Sequence, residues 1–153
     1  MWIKFLKLFV LFCCIGLSAC GEQYPIFHDH LGNILHLSNL KNKWVIINYW
    51  AGWCPLCVKE IPELNRFYRT NKDITMYGVN FDQLQKENLQ KAIQDAHIEF
   101  PVLIEDPAEA LHLNPVNNLP TTFIIDPKGK VFRVILGATS TEALLEIIHS
   151  AKQ

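Results

Sequence analysis

Trp50-Ala51-Gly52-Trp53-Cys54-Pro55-Leu56-Cys57 joins an apolar, strand-like run, Trp44 to Tyr49, to a helix pattern. In that pattern Cys57, Ile61, Leu64 and Tyr68 recur at the spacing that puts side chains on one helix face. Cys54 then sits at a helix N-terminus, where unpaired backbone N–H groups and the helix dipole favour a thiolate. Cys57, one turn further in, is near enough to close a small disulfide ring. In such a pair the first sulfur attacks and the second resolves. C-x-x-C also presents two thiolates to zinc, but a structural zinc site needs two further ligands. The other cysteines, Cys13, Cys14 and Cys20, all lie in the first 20 residues, and no His-x-x-x-His pair follows. The strand-then-helix context favours redox chemistry: a Cys54/Cys57 disulfide, no resident metal and no separate cofactor.

From Pro25 to Ile148 the chain resembles thioredoxin-fold proteins. More narrowly it is similar to the TlpA-like branch of membrane-tethered thiol–disulfide oxidoreductases, which includes reductases serving cytochrome c maturation. The resemblance is carried by the dithiol stretch, by Pro62 eight residues after Cys54, and by Leu119-Pro120-Thr121-Thr122-Phe123. It implies an α/β fold with a central mixed sheet flanked by helices, an N-terminal β-hairpin, and a strand–helix insertion before a cis-proline loop. Pro120 follows Cys54 by 66 positions. That is room for the insertion, but not for the helical domain of DsbA-like oxidases. The resemblance further implies that Pro120 is cis and packs beside the dithiol. The Leu119 backbone would then pair with an extended client, in a groove shared with Thr121, Pro55 and Leu56.

One position departs from thioredoxin itself, which carries a buried aspartate six residues before its first cysteine. Here that residue is Asn48, which cannot act as a base. Some TlpA-like proteins use a carboxylate in the loop after the next strand, and Asp82 falls in that loop. Asp82 is a candidate proton acceptor; the alternative is a helix cap before Gln83 to Gln85. Trp53 is expected to shield the disulfide and offer an apolar docking face, whereas Trp50 either shares that role or simply packs. Lys59 and Glu60 are expected on a solvated helix face.

The N-terminus reads as an export signal. Lys4 and Lys7 precede an apolar run, Leu8 to Leu17, that ends in Leu17-Ser18-Ala19-Cys20. The ending resembles a bacterial lipobox, which makes Cys20 the lipidated first residue of the mature chain. The alternative is an uncleaved anchor, but Phe5 to Cys20 is short against the roughly 20 residues a helix needs to cross a bilayer. The expected division is a signal at 1–19, a tether at 20–24 and one domain at 25–153. Cleavage and lipidation leave only Cys54 and Cys57 as free thiols. Without Lys4 and Lys7 among its 14 basic residues, the chain is mildly acidic against 15 Asp and Glu, and nothing suggests a nucleic-acid partner.

Along the remaining chain, Ile26–His28 and Ile34–Leu37 read as a hairpin around Gly32 and Asn33. His28 and His30 are expected on one strand face, with His36 nearby. Ile74–Asn80 reads as a strand, Leu89, Ile93 and Ala96 as a helix face, Phe100–Ile104 as a strand and Pro107–Leu113 as a short helix. The strand after Pro120 returns through Pro127-Lys128-Gly129 into Lys130–Leu136. A closing helix is expected from a capping box, Thr139-x-x-Glu142, burying Leu144, Ile147 and Ile148.

The function expected is therefore extracytoplasmic, membrane-tethered thiol–disulfide exchange. The resemblance implies net reduction of a cysteine pair in a client such as apocytochrome c, with electrons returned by a transmembrane thiol carrier. Two rivals use the same fold. A thiol peroxidase of the Thr-x-x-Cys type would need threonine where Ala51 stands. A Cu(I) chaperone would hold the metal on two soft thiolates.

Overall fold

The structure, a computed structural model, describes residues 25–151. The expected signal at 1–19 and the expected tether at 20–24, with Cys20, lie outside the described residues. The elements run β1 (Ile26–His28), β2 (Ile34–His36), a 3-10 helix (Leu37–Leu40), β3 (Val45–Trp50) and α1 (Pro55–Thr70). They continue with β4 (Thr75–Asn80), α2 (Lys86–Asp95), β5 (Val102–Leu103), β6 (Thr121–Ile125), β7 (Val131–Leu136) and α3 (Thr141–Ser150). The main sheet has the order β5-β4-β3-β6-β7, with β3, β4 and β5 parallel and β6 and β7 antiparallel to their neighbours. This is the thioredoxin-like mixed sheet, with β1–β2 as the separate hairpin and α2–β5 as the insertion.

β3 is buried at every position, as its near-continuous apolar sequence requires of a central strand. Ile46 and Trp50 pack into one core with Leu64 and Phe67 of α1, Leu89 and Ile93 of α2, and Leu144 and Ile148 of α3. Right-handed crossovers from β3 to β4 to β5 put α1 and α2 on the same face. Val45, Ile47 and Tyr49 point the other way, into a second core closed by Phe27, Leu35 and Leu40. The second layer is therefore the hairpin and the 3-10 helix. The hairpin is fastened to the sheet edge through His30 N–H to the Val102 carbonyl, at 2.8 Å, and Ile104 N–H to the His28 carbonyl, also at 2.8 Å.

Three local expectations are corrected. His28 and His30 do not lie on one strand: β1 ends at His28, which pairs with Glu105, while His30, in the turn, accepts from the Val102 N–H. Residues 107–113 close a single turn, Leu111 N–H to the Pro107 carbonyl, which ends at His112 with φ 52° and does not become a helix. The cap of α3 is Ser140, one residue later than expected. Its Oγ accepts from Ala143 N–H, and the Thr139 N–H goes to Glu60 instead.

Gly78, in the middle of β4, lies close against the core. A Cβ there would lie 2.9 Å from a Phe100 ring carbon and 3.2 Å from Trp50 Nε1. Both rings are fully buried, so neither yields easily. Gly78→Ala is expected to destabilise the fold by about 1–3 kcal/mol through overpacking. A shift in the urea midpoint at unchanged slope measures it, and an unchanged midpoint would refute the packing argument.

Candidate active site

The C-terminal end of β3 hands the chain through Ala51 and Gly52 to the N-terminus of α1. Cys54 is the N-cap, extended at φ −91°, and its sulfur accepts the Cys57 N–H at 3.2 Å. Pro55 starts the helix, where its missing N–H costs nothing. The two cysteines form a disulfide with their Cα atoms 5.3 Å apart. Cys54 keeps 5% of its surface exposed and Cys57 none. Once the bond is reduced, a thiolate at Cys54 gains both the Cys57 N–H and the helix N-terminus, whereas Cys57 has no route to bulk water.

The rim of the site is apolar and exposed. Trp53 is 65% exposed and Leu56 51%, with Phe81 beside them. The Trp53 indole is held in place by its Nε1–H to Asp82 Oδ2 at 2.8 Å and by an edge contact with Phe81. Asp82 thus anchors Trp53, and the cap of α2 is Gln85 rather than Asp82. Trp50 is wholly buried, which settles it as a packing residue. The Leu119–Pro120 bond is cis. Because Tyr49 pairs with Thr121, Pro120 lies alongside the end of β3 that leads into the dithiol. Leu119 is half-buried, and Thr121 is buried with its hydroxyl donating to the Asn118 carbonyl.

Beneath the dithiol is a group that the sequence reading placed in solvent. Glu60, one turn after Cys57, is only 2% exposed. Its Oε1 accepts from Asn48 Nδ2 at 2.9 Å and its Oε2 from Thr139 N–H at 2.9 Å. Burial pushes its pKa up to about 7, although the hydrogen bonds from Asn48 and Thr139 pull the other way. Asn48 also donates to Thr122 Oγ1, and its own Oδ1 has no partner among the described residues. The strand position of the thioredoxin aspartate is thus filled by an amide, and the helix sends a carboxylate into the same buried space. Helical spacing carried the signal: three residues after Cys57 falls on the face that Cys57, Ile61 and Leu64 bury. Lys59, next to it, is exposed as expected. Glu60 also lines a groove of about 540 Å³ between α1 and α3, next to Leu56 and Thr139.

The geometry is that of a cysteine pair suited to exchange, with one cysteine slightly exposed, the other sealed, and a buried acid one helical turn further on. Comparison with known proteins agrees. The AhpC/TSA family model matches residues 20–134. The thiol-disulfide oxidoreductase ResA of Bacillus subtilis is 32% identical over 90% of this chain and 85% of its own length. ResA of Geobacillus thermodenitrificans is 31% identical, covering 88% and 79%. Among solved structures, a thiol:disulfide interchange protein DsbE from Chlorobium tepidum superposes with a TM-score of 0.68 at 26% identity, over 85% of this chain and 94% of that one. StoA from Bacillus subtilis shares the fold with a TM-score of 0.68 at 23% identity. The chain therefore belongs to the AhpC/TSA family of thioredoxin-fold proteins, and within it to the thiol–disulfide oxidoreductases.

Proposed function

We propose that this oxidoreductase works outside the cytoplasm, tethered to a membrane through Cys20, and reduces cysteine pairs in client proteins such as apocytochrome c. A transmembrane thiol carrier returns the electrons. The observation that carries the mechanism is the asymmetry of the pair: Cys54 keeps a small exposed edge, while Cys57 is fully enclosed one helical turn before the buried Glu60. Cys54 thiolate attacks one client sulfur, forming the mixed disulfide and releasing the other client sulfur as a thiolate. Glu60 takes the proton from Cys57. The Cys57 thiolate attacks Cys54, re-forming the Cys54–Cys57 bond and expelling the second client sulfur. Two electrons pass from the dithiol to the client, and its two thiolates then take up one proton from Glu60 and one from solvent, which replace those given up by Cys57 and Cys54. Pro120 and the Leu119 backbone, with Pro55 and Leu56, border the client's path, and the buried Thr121, expected in that groove, supports the loop from beneath. Trp53, steadied by Asp82, supplies an apolar landing for it.

Cys57→Ser is expected to accumulate client mixed disulfides, because attack survives while resolution does not; Cys54→Ser should accumulate none. Non-reducing gels of trapped protein read this directly. Equal trapping by both variants would reverse the two roles. Peroxide reduction at a rate exceeding disulfide exchange would favour the peroxidase reading, and stoichiometric copper retention lost in Cys54→Ser would favour the chaperone.

The location rests on the basic start, the apolar run and the lipobox-like end of residues 1–20. Cys20→Ala is expected to release the protein from the membrane fraction and leave its exchange chemistry intact, since acyl chains act on location alone. Retention in the membrane as firmly as the parent chain would point to an uncleaved anchor.

A further inference from the structure

The end of the domain opposite the dithiol gathers five lysines. β3 begins at Val45, which pairs with Thr75 at the start of β4 and with Ile125 at the end of β6. The loops preceding β3 and β4 and the turn after β6 therefore converge on one pole, and the loop before β5, whose Glu99 is ion-paired with Arg69, borders its other side. They bring Lys41, Lys43, Lys72, Lys128 and Lys130 there, all exposed, beside the acidic residues Asp73, Asp126 and Glu109. The Asp126 carboxylate is already engaged by the Lys128 and Lys130 N–H groups of its own turn. The remaining described residues carry eleven acidic side chains against six basic ones. A mildly acidic protein has thus gathered nearly half its described cations at one end.

The pole is a built surface. Asn42, at φ 63°, donates its N–H to the Pro127 carbonyl at 3.0 Å, locking the β3 loop to the β6–β7 turn. Lys41 and Lys128 border one small apolar cavity of about 150 Å³ together with Leu37 and Leu40. Beside the lysines, Phe132 and Val131 are each 37% exposed, and Phe132 stacks edge-on against Trp44 at 5.5 Å. Lysines around a partly exposed aromatic pair suit the headgroup region of a bilayer.

The incoming chain enters on the same flank. The Pro25 carbonyl accepts from Leu37 N–H, and Leu37 opens the 3-10 helix that runs to Leu40, directly before Lys41. The 24 residues before Pro25 include the apolar run Leu8 to Leu17. The segment read above as the tether is thus joined to the domain next to these lysines.

We infer that the pole formed by Lys41, Lys43, Lys72, Lys128 and Lys130 docks on the anionic phospholipid headgroups of the membrane that holds the N-terminus. This rests on the tethered reading above and adds an orientation to it. The dithiol stands beyond the far end of β3, about 20 Å away along the six-residue strand, and faces off the bilayer toward soluble clients. The attraction is electrostatic, so it is reversible and screened by salt.

The test uses the full chain reconstituted with phosphatidylcholine vesicles, with and without phosphatidylglycerol, and reads acetylation of each lysine by mass spectrometry. A lysine held at an anionic surface gains about fivefold in partitioning. Lys43, Lys128 and Lys130 should therefore label at least about threefold more slowly on the anionic vesicles, while Lys59 and Lys91 label alike on both. High salt should erase the difference, and so should the triple variant K43E/K128E/K130E. Dithiothreitol reduction of the variant at the parent rate establishes that it is folded, and the parent footprint decides the matter alone if it is not. Equal labelling on both vesicles, or protection centred on Lys86 and Lys91, overturns the inference. Protection by native membranes but not by phosphatidylglycerol also overturns it, and assigns the pole to a protein. The tethered reading is scored separately: failure to float with neutral vesicles sinks the tether, whereas the footprint on anionic ones still decides the pole.

Discussion

Glutamine at position 60 is expected to slow closure of the Cys54–Cys57 bond from the mixed disulfide by about 10²–10³ at neutral pH, leaving the first attack by Cys54 nearly unchanged. Cys57 is wholly buried, so its proton cannot leave to bulk water and needs an internal acceptor. Glu60 lies on the next turn of the same helix face. With its pKa pushed up to about 7, it is roughly half ionised where the enzyme works. Glutamine keeps the shape and removes the base. It is also structurally tolerated, because Asn48 can turn its amide over. The unpartnered Oδ1 then accepts from the new Nε2–H and from the Thr122 hydroxyl, so no donor meets a donor. Single-turnover release of a peptide thiol from the mixed disulfide reads the step. The parent should show a rising limb near pH 7 that the variant lacks. A variant rate within about threefold of the parent, with the limb preserved, would remove Glu60 from the proton transfer and return Asp82 to candidacy.

The dithiol and the order of strands and helices were legible because each depends on local chemistry or on spacing along one element, whereas the cis-proline loop was legible only through the resemblance to thioredoxin-fold proteins. Cys54 reads as a helix N-cap from the strand before it and the periodicity after it. The central strand declares itself by an apolar run that only a two-sided core accepts. Glu60 was misread for a different reason. A carboxylate beside Lys59 looks solvated, and its burial depends on Asn48 from β3 and Thr139 from the start of α3, 12 and 79 residues away in sequence. The same contact accounts for the missed cap. Thr139 gives its N–H to Glu60, so capping of α3 passes to Ser140. Residues 107–113 carried the proline and apolar spacing of a helix start. Their single turn nevertheless stops at His112 in the left-handed region, where Ala110 and Leu111 pack under the 3-10 helix beside Leu37 and Leu40. Non-local partners decided all three.

The same buried acid should imprint itself on stability. Below about pH 4.5 the Glu60 carboxyl is protonated in both folded and unfolded chains and contributes no pH dependence. As pH rises through that value the unfolded chain ionises first, while burial keeps the folded carboxyl neutral until about pH 7. Stability is therefore lost across that window, by a total of about 3 kcal/mol, and stays lost above it. Other acids act with the opposite sign. Glu63 is held below the usual range by its hydrogen bond with Arg66, and Glu105 likewise, where the His28 backbone and ring outweigh the cost of burial. Both lose their contribution as pH falls, so the raw profile of the parent is a mixture. The difference between the parent and Glu60→Gln isolates the one group, because the variant leaves the pairs at Glu63 and Glu105 in place. Urea unfolding of the oxidised proteins at about pH 4 and about pH 8 should show the variant gaining on the parent by about 3 kcal/mol between the two. A difference that stays flat would mean that Glu60 ionises in the folded protein as readily as in the unfolded chain. An acid that easily ionised could not rest half-protonated beneath Cys57 at neutral pH, and the kinetic prediction would lose its physical basis as well.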